Sequence, residues 1–176
     1  MAYIGQAPTP LPLTATDIPD LPATKITSGT FPALDGSNLT GISAGKVLQV
    51  VQATNTSQTD TSSSSFVATG LSVDITPSSS SNKVLVIVMG VLDNETSGSA
   101  PRVTIYRDSS NIGVADGLSR NYATSRLLTP LSMSKLDTPS TSSQITYSVR
   151  IRSATSNTVR FGETTQQTII AMEIQG

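Results

Sequence analysis

The sequence predicts an all-β fold: an extended N-terminal arm and shaft, followed by an antiparallel, jelly-roll-like β-sandwich head. Short runs rich in Val, Ile and Thr recur, separated by clusters of Ser, Asn, Gly and Pro about every 8 to 12 residues. Charged residues make up only 13% of the sequence, and strong helix formers do not occur in runs. Both features are typical of exposed proteins built from strands and short turns. Roughly eight or nine strands are expected in the head.

The length and apolar content set the domain organisation. At 176 residues, of which 36% are apolar, the chain has room for one core-bearing domain and an extension. The pattern changes near Gly45, where a proline-rich segment gives way to strands. We therefore divide the chain into an attachment arm at residues 1–17, an interwound shaft at 18–45 and a β-sandwich head at 46–176.

The arm is short and rich in proline. Pro8, Pro10 and Pro12 alternate with other residues and favour a stiff polyproline II rod. On its own such a segment is a disordered tail, whereas on a larger partner its apolar side chains give it a docking function. The predicted docking residues are Tyr3, Ile4, Leu11 and Leu13.

The shaft segment is extended but cannot stand alone. Pro19, Pro22 and Pro32 fix the backbone in an extended conformation, and an apolar residue recurs every few positions between turn-forming residues. A single extended strand cannot satisfy its own amides, whereas copies wound about an axis would share a dry centre. These residues therefore predict self-association, with shaft contacts at Ile18, Leu21, Ile26, Phe31, Leu34, Leu39 and Ile42.

Two stretches in the first quarter of the chain resemble known proteins. The run IPDLPATKITSGTFPALDGSNLTGI resembles the short repeats of bacteriophage tail fibres and related virion fibres, where Pro-Ala, Lys-Ile-Thr-Ser-Gly-Thr and Asn-Leu-Thr-Gly elements recur. The opening MAYIG, followed by Pro8, is similar to the start of structural proteins from phages of cyanobacteria and marine bacteria. The resemblance implies a homotrimer whose N-terminal end attaches to the virion and whose C-terminal end points outward.

The first half of the head is predicted to contain a central strand. A strand at residues 47–52 precedes an exposed polar loop at 54–65, and the alternation in the segment 66–75 changes phase around Gly70, which predicts a bulge. Residues 83–92 form the most apolar run of the chain and are rich in β-branched residues. This composition favours a central strand buried on both faces.

The second half of the head is less regular. Residues 126–136 hold a mixed apolar pattern that Pro130 breaks, and the sequence leaves the strand topology of residues 116–143 open. Polar loops are expected at 116–125 and 137–143, and a hairpin turn at 108–111. The predicted strands are residues 101–107, 112–115, 144–152, 158–161 and 168–174.

The composition argues against catalysis. Neither cysteine nor histidine occurs, which excludes thiol chemistry and disulfides and removes the commonest general base and metal ligand. The acidic residues lie mostly in turn-like segments, and no spacing singles out a pair for glycan hydrolysis. We expect no enzymatic activity and no catalytic, cofactor-binding or metal-binding residues.

Charge and hydropathy limit the classes of partner that the chain can bind. The net charge of −1 gives no electrostatic footprint for nucleic acid or an anionic membrane. No stretch of about 18 apolar residues is present for a membrane span, and the N-terminal residues do not resemble a signal peptide. Synthesis in a cytoplasm is therefore expected.

Aromatic residues are scarce, at 4% of the sequence, which limits the surfaces that could bind carbohydrate. Tyr106 and Tyr147 lie in predicted strands and are expected to be packed. Tyr122 stands beside Arg120 and Asn121 in a polar loop. These three loop residues are our candidates for surface recognition.

The function predicted from these observations is that of a virion structural protein, a trimeric tail fibre or fibre-like spike made in the host cytoplasm. Its partners would be two further copies of itself, another virion protein contacted by the arm, and a host surface glycan or protein. A capsid decoration or cement protein is the alternative that uses the same parts. A glycan-binding, lectin-like head is an alternative from a different class.

Overall fold

The computed structural model describes residues 45–176. The predicted docking residues Tyr3, Ile4, Leu11 and Leu13 lie outside the described residues, as do the shaft contacts Ile18, Leu21, Ile26, Phe31, Leu34, Leu39 and Ile42. Their roles stay predictions. Within the described region, no helix is long and apolar enough to cross a membrane.

Residues 45–176 form eleven strands, of which several span only two or three residues. In chain order they are β1 (Val47–Asn55), β2 (Thr59–Thr61), β3 (Val67–Ile75), β4 (Lys83–Asn94), β5 (Pro101–Arg107), β6 (Ser110–Asn111), β7 (Ser119–Arg120), β8 (Leu127–Asp137), β9 (Ile145–Ser153), β10 (Val159–Phe161) and β11 (Gln167–Ile174).

Four nested antiparallel pairs define the topology. Strand β1 pairs with β11, β3 with β9, β4 with β8, and β5 with β6. The first principal strand pairs with the last, and each later pair lies inside the previous one along the chain. A long hairpin rolled up into two sheets has this nested pairing, and the resulting fold is the jelly roll. The predicted all-β, jelly-roll-like sandwich is confirmed.

The pairs are divided between two sheets. In the first sheet, the strand order is β1-β11-β4-β8. Strand β10 pairs with β4 on the same edge as β11, but nearer the end of β4, and β2 pairs with β10. In the second sheet, the order is β3-β9-β5, with β6 and β7 both on the far side of β5. Strand β4 is therefore central in the first sheet, as predicted.

The core lies between the two sheets and follows the alternation of the strands. On β9, Ile145, Tyr147, Val149 and Ile151 are buried while the residues between them are partly exposed. The Tyr147 hydroxyl donates a hydrogen bond of 2.7 Å to Asp137, and burial together with this bond raises the tyrosine pKa. The expected packing of Tyr147 is thus confirmed.

Strand β3 contains the predicted bulge. Its register against β9 shifts between Ala68 and Ser72, and Gly70 between them has a φ of +78°. Glycine is favoured there because a left-handed backbone costs other residues energy.

Three segments differ from the sequence prediction. The predicted loop 116–125 contains the two-residue strand β7, which pairs with β5. The predicted loop 54–65 contains the end of β1 and the short strand β2, which pairs with β10 and is held by an ion pair between Asp60 and Arg160. The predicted strand 112–115 is a turn, because the Asn111 carboxamide oxygen accepts hydrogen bonds from Gly113 N–H and the Thr104 hydroxyl. A side chain that bonds the local backbone competes with strand pairing.

The mixed segment 126–136 forms β8, a continuous edge strand. It pairs only with β4 among residues 45–176. An edge strand of this kind is a position where a sheet tolerates proline, because no strand lies on its other side. Strand β4 itself corrects a prediction. Its residues facing the second sheet are buried, but on its other face Met89 is 43% exposed, so β4 is not buried on both faces in the single chain.

Candidate functional site

The outer face of the first sheet, which we call the apolar face, presents a row of hydrophobic side chains across all four principal strands. Residues directly opposite in antiparallel strands project from the same side. Val50 pairs with Met172, Met172 with Leu85, and Leu85 with Leu136. The next rows are Gln52, Ile170, Ile87 and Ser134, then Thr54, Thr168, Met89 and Ser132.

These rows carry no charged residue, and several of the apolar side chains are open to solvent. Val50 is 56% exposed and Leu136 49% exposed. Leu128, which follows along β8, is 48% exposed. Contiguous exposed apolar surface of this kind marks an interaction site, whereas single exposed leucines do not.

The outer face of the second sheet, which we call the basic face, has the opposite character. Arg152 on β9 lies directly opposite Arg102 on β5, and Arg102 lies opposite Arg120 on β7. Arg150 adjoins this row, two residues before Arg152 on β9. Like charges directly across strands repel each other, so this row requires negative charge nearby.

Asp116 is the one acidic residue that contacts the row within residues 45–176. Its carboxylate accepts a hydrogen bond of 2.8 Å from Arg152 and lies 3.9 Å from Nε of Arg102. The Asp116 side chain is 60% exposed, so its charge is partly screened by water. One screened carboxylate leaves the three guanidinium groups of the row with net positive charge.

Aromatic rings support two arginines of the basic face. The Arg150 guanidinium lies 4.1 Å from the centre of the Tyr106 ring, and that of Arg152 lies 5.3 Å from the centre of the Phe66 ring. The two rings meet edge to face at 6.2 Å. Stacking of this kind holds a guanidinium group flat on the surface. Tyr106 is thus half-buried beneath an arginine on the outer face, not packed in the core.

A surface pocket of about 370 Å³ lies at one end of the arginine row, lined by Arg102, Arg120, Asn121 and Tyr122. The three consecutive residues singled out from the sequence all line this pocket, although Arg120 lies in β7 and not in a loop. Their role in recognition stays a prediction. Tyr122 is 62% exposed. The Asn121 side chain is occupied within the fold, since it donates to the Thr129 hydroxyl at 2.7 Å and accepts from Tyr122 N–H at 2.7 Å.

Sequence reasoning missed Arg102, Arg150 and Arg152 as site residues. These arginines alternate with core residues on β5 and β9, and this alternation in the sequence predicts that they lie on an outer face. The cross-strand register that aligns Arg102 with both Arg120 and Arg152 cannot be read from the sequence, because the three residues come from separate segments.

A separate cluster of acids lies at the end of β4 and binds arginine. Carboxylate oxygens of Asp93, Glu95 and Glu163 lie within 4.8 Å of one another. Arg126 contacts Asp93 at 2.9 Å and also Glu163, and Arg160 contacts Glu95 at 2.9 Å. Hydrogen bonds to Asp93 and Glu163 raise the pKa of Arg126. Because two cations already occupy this cluster, we interpret it as a structural ion-pair network.

Comparison with known proteins gives similarity at the level of structure. No protein-family model matches the sequence, and no curated protein matches it significantly. A chain of the T13 IBDV viral particle is 14% identical with a TM-score of 0.38, over 82% of this chain and 41% of that chain. A chain of infectious bursal disease virus Gx strain is 13% identical with a TM-score of 0.37, over 72% and 38%.

A sugar-binding protein is also among the similar structures. The EclA C-terminal domain is 16% identical with a TM-score of 0.32, over 86% of this chain and 99% of that domain. The present chain spans about two fifths of the length of the two viral chains. At these identities the likeness concerns the fold alone.

Proposed function

We propose that the chain is a virion structural protein: a homotrimeric tail fibre or fibre-like spike, attached to the particle by its N-terminal arm. The observation that carries this proposal is the apolar face of the head. Its uncharged rows, from Val50 to Leu136 and from Thr54 to Ser132, lie in a chain whose residues 18–42 resemble a fibre repeat.

The occupant proposed for the apolar face is a second copy of this chain. Strand β1, an edge strand of the apolar face, begins at Val47, five residues after the last predicted shaft contact. Copies that associate along the shaft would therefore hold their heads close together at high effective concentration. Around a three-fold axis each copy meets its two neighbours through two different patches, which here would be two parts of the apolar face. The three rows without charge, between Lys83 and Asp93 on β4, would allow this contact without like-charge repulsion.

The two faces of the sandwich then have separate roles. The apolar face points toward the other copies, and the basic face, on the opposite sheet, stays open to solvent. A head with one self-associating side and one polar, positively charged side suits attachment from a virion to a surface outside it.

Light scattering on the full chain at several concentrations tests this proposal. We expect a mass of three times 18.3 kDa, because the fibre repeats that residues 18–42 resemble imply a homotrimer and the head adds contacts to those of the shaft. A chain that starts at Gly45 keeps the whole sandwich core and is expected to trimerise only at higher concentration, since it lacks the shaft.

Two results would count against the proposal. Monomers of both chains at every concentration would rule out self-association as its basis. A full-length trimer whose truncated form stays monomeric throughout would assign association to the shaft and remove the apolar face from the proposal.

A further inference from the structure

We propose that the basic face binds an acidic polysaccharide, with Arg102, Arg120 and Arg152 contacting its anionic groups and Tyr122 contacting a sugar ring. This inference rests on the proposed attachment function. It adds the class of surface that the head would recognise. The ligand chemistry is a carboxylate or sulfate group carried on a sugar.

The arginine row is suited to anions by geometry as well as by charge. Guanidinium groups present planar pairs of N–H donors that match carboxylate and sulfate oxygens. Nε of Arg102 and Nε of Arg150 are buried and have no hydrogen-bond partner within residues 45–176. A buried donor without a partner costs free energy, but a ligand at the surface does not reach these two atoms, so the row would contact anions through its other guanidinium N–H groups.

The pocket beside the row is suited to a sugar. Its volume of about 370 Å³ lies in the range typical of small-ligand sites, about 300 to 1,000 Å³. Tyr122, 62% exposed at its edge, offers an aromatic face for the C–H groups of a pyranose ring and a hydroxyl for its polar edge. Arg102 and Arg120 line the same pocket, so ring and anion would be recognised side by side.

Nucleic acid fits this surface less well. Single-stranded nucleic acid is bound by several exposed aromatic rings, on which successive bases stack, along a positively charged groove. Within residues 45–176, Tyr122 is the one aromatic among the large exposed hydrophobic side chains. Phe66 and Tyr106 are covered by arginines.

Titration calorimetry of the full chain with three polysaccharides tests the inference. Polygalacturonate supplies carboxylates, dextran sulfate supplies sulfates, and neutral dextran supplies sugar without charge. We expect binding to at least one acidic polymer, weakening as NaCl is raised, and none to dextran. The better of the two acidic polymers identifies the anion.

Paired variants locate the site. The double change Arg102→Gln with Arg152→Gln is expected to weaken binding at least about tenfold, since each removes charge-assisted hydrogen bonds. Lys46→Gln with Lys135→Gln is the matched control: it lowers the charge by the same amount outside the basic face and outside the three rows of the apolar face and should leave affinity within about twofold at moderate salt.

A gain of affinity separates recognition from a structural role. Asp116→Asn removes the carboxylate that contacts both Arg102 and Arg152 while keeping an acceptor for Arg152. We expect it to tighten binding by about threefold or more, which loss of structure would not do. Tyr122→Ala, at an exposed position, is expected to weaken binding without changing the melting temperature. If the double arginine variant does not fold, this variant tests whether the polysaccharide binds at the pocket.

Several outcomes would overturn the inference. They are unchanged affinity in the folded arginine variant, equal binding of neutral dextran, or tighter binding of a single-stranded oligonucleotide than of either acidic polymer. The mass of the same samples keeps the two proposals apart. A trimer that binds no acidic polysaccharide overturns this inference alone, whereas a monomer that binds one overturns the trimer alone.

Discussion

Replacing Glu173 by Gln is expected to lower the free energy of unfolding at pH 7 by about 3 kcal/mol. The side chain is only 1% exposed. One carboxylate oxygen accepts hydrogen bonds from the Ser78 N–H and hydroxyl, both at 2.7 Å, and from the Asn82 amide at 2.6 Å. The other accepts from the Gln49 amide at 2.6 Å. Because every partner is a donor, the NH₂ group of a glutamine would face another donor and leave it unsatisfied.

The same carboxylate predicts a loss of stability in acid. Burial by itself would raise the pKa of Glu173, but the hydrogen bonds from Gln49, Asn82 and Ser78 lower it to about 2. The pKa in the folded state thus lies below the ordinary value of 4.5. The stabilisation is therefore complete above pH 4.5 and is lost as the pH falls toward about 2.

Urea denaturation at pH 7 and at pH 2.5, at one protein concentration, measures both effects. The Glu173→Gln variant should lose less stability between these pH values than the wild type, because the titrating group has been removed. Glu163→Gln is the matched control, since Glu163 belongs to a partly exposed ion-pair network. We expect it to cost less than about 1 kcal/mol. If Glu173→Gln were as stable as the wild type at pH 7, the four hydrogen bonds would not contribute as argued.

The parts of the fold that sequence alone predicted are those that local alternation determines. Ile145, Tyr147, Val149 and Ile151 occupy every second position of β9, and a strand can bury only one such set against a single partner sheet. Gly70 likewise carries its own local signal, a change of phase, so the bulge in β3 was predicted where it occurs.

The parts that could not be predicted depend on contacts between distant segments. Arg102 and Arg152 meet only because β5 and β9 pair in one particular register. The Asn111 carboxamide changes the predicted strand 112–115 into a turn through a bond to Thr104 on a neighbouring strand. Sequence alone identified Arg120, Asn121 and Tyr122 because they are adjacent in the chain, but the arginine row that adjoins them required three strands to be aligned.

The β4 prediction differs from the structure in an informative way. Apolar residues on both faces of a strand predict burial on both sides, yet the face that carries Ile87 and Met89 is covered by no other element within residues 45–176 of the single chain. An association of copies through this face would account for the pattern, because the second layer of protein would come from another chain.

Introducing one charge on the apolar face is therefore expected to prevent association of the heads. In the chain that begins at Gly45, Met89→Glu should raise the dissociation constant at least about a hundredfold, since a buried, unpaired carboxylate costs several kcal/mol at an interface. Met89 is 43% exposed in the single chain, so the fold should change in stability by less than about 0.5 kcal/mol. Light scattering over a concentration series, with thermal melts of the same samples, measures both.

Ser72→Glu is the control for Met89→Glu. It adds the same charge at an exposed position of β3, on the outer face of the opposite sheet, and is expected to leave the association unchanged. If both variants dissociate alike, net charge and not the apolar face governs association. If neither does, the heads meet through some other surface. Dissociation by Met89→Glu alone, with an unchanged melting temperature for the dissociated head, requires that the apolar face be covered by another copy.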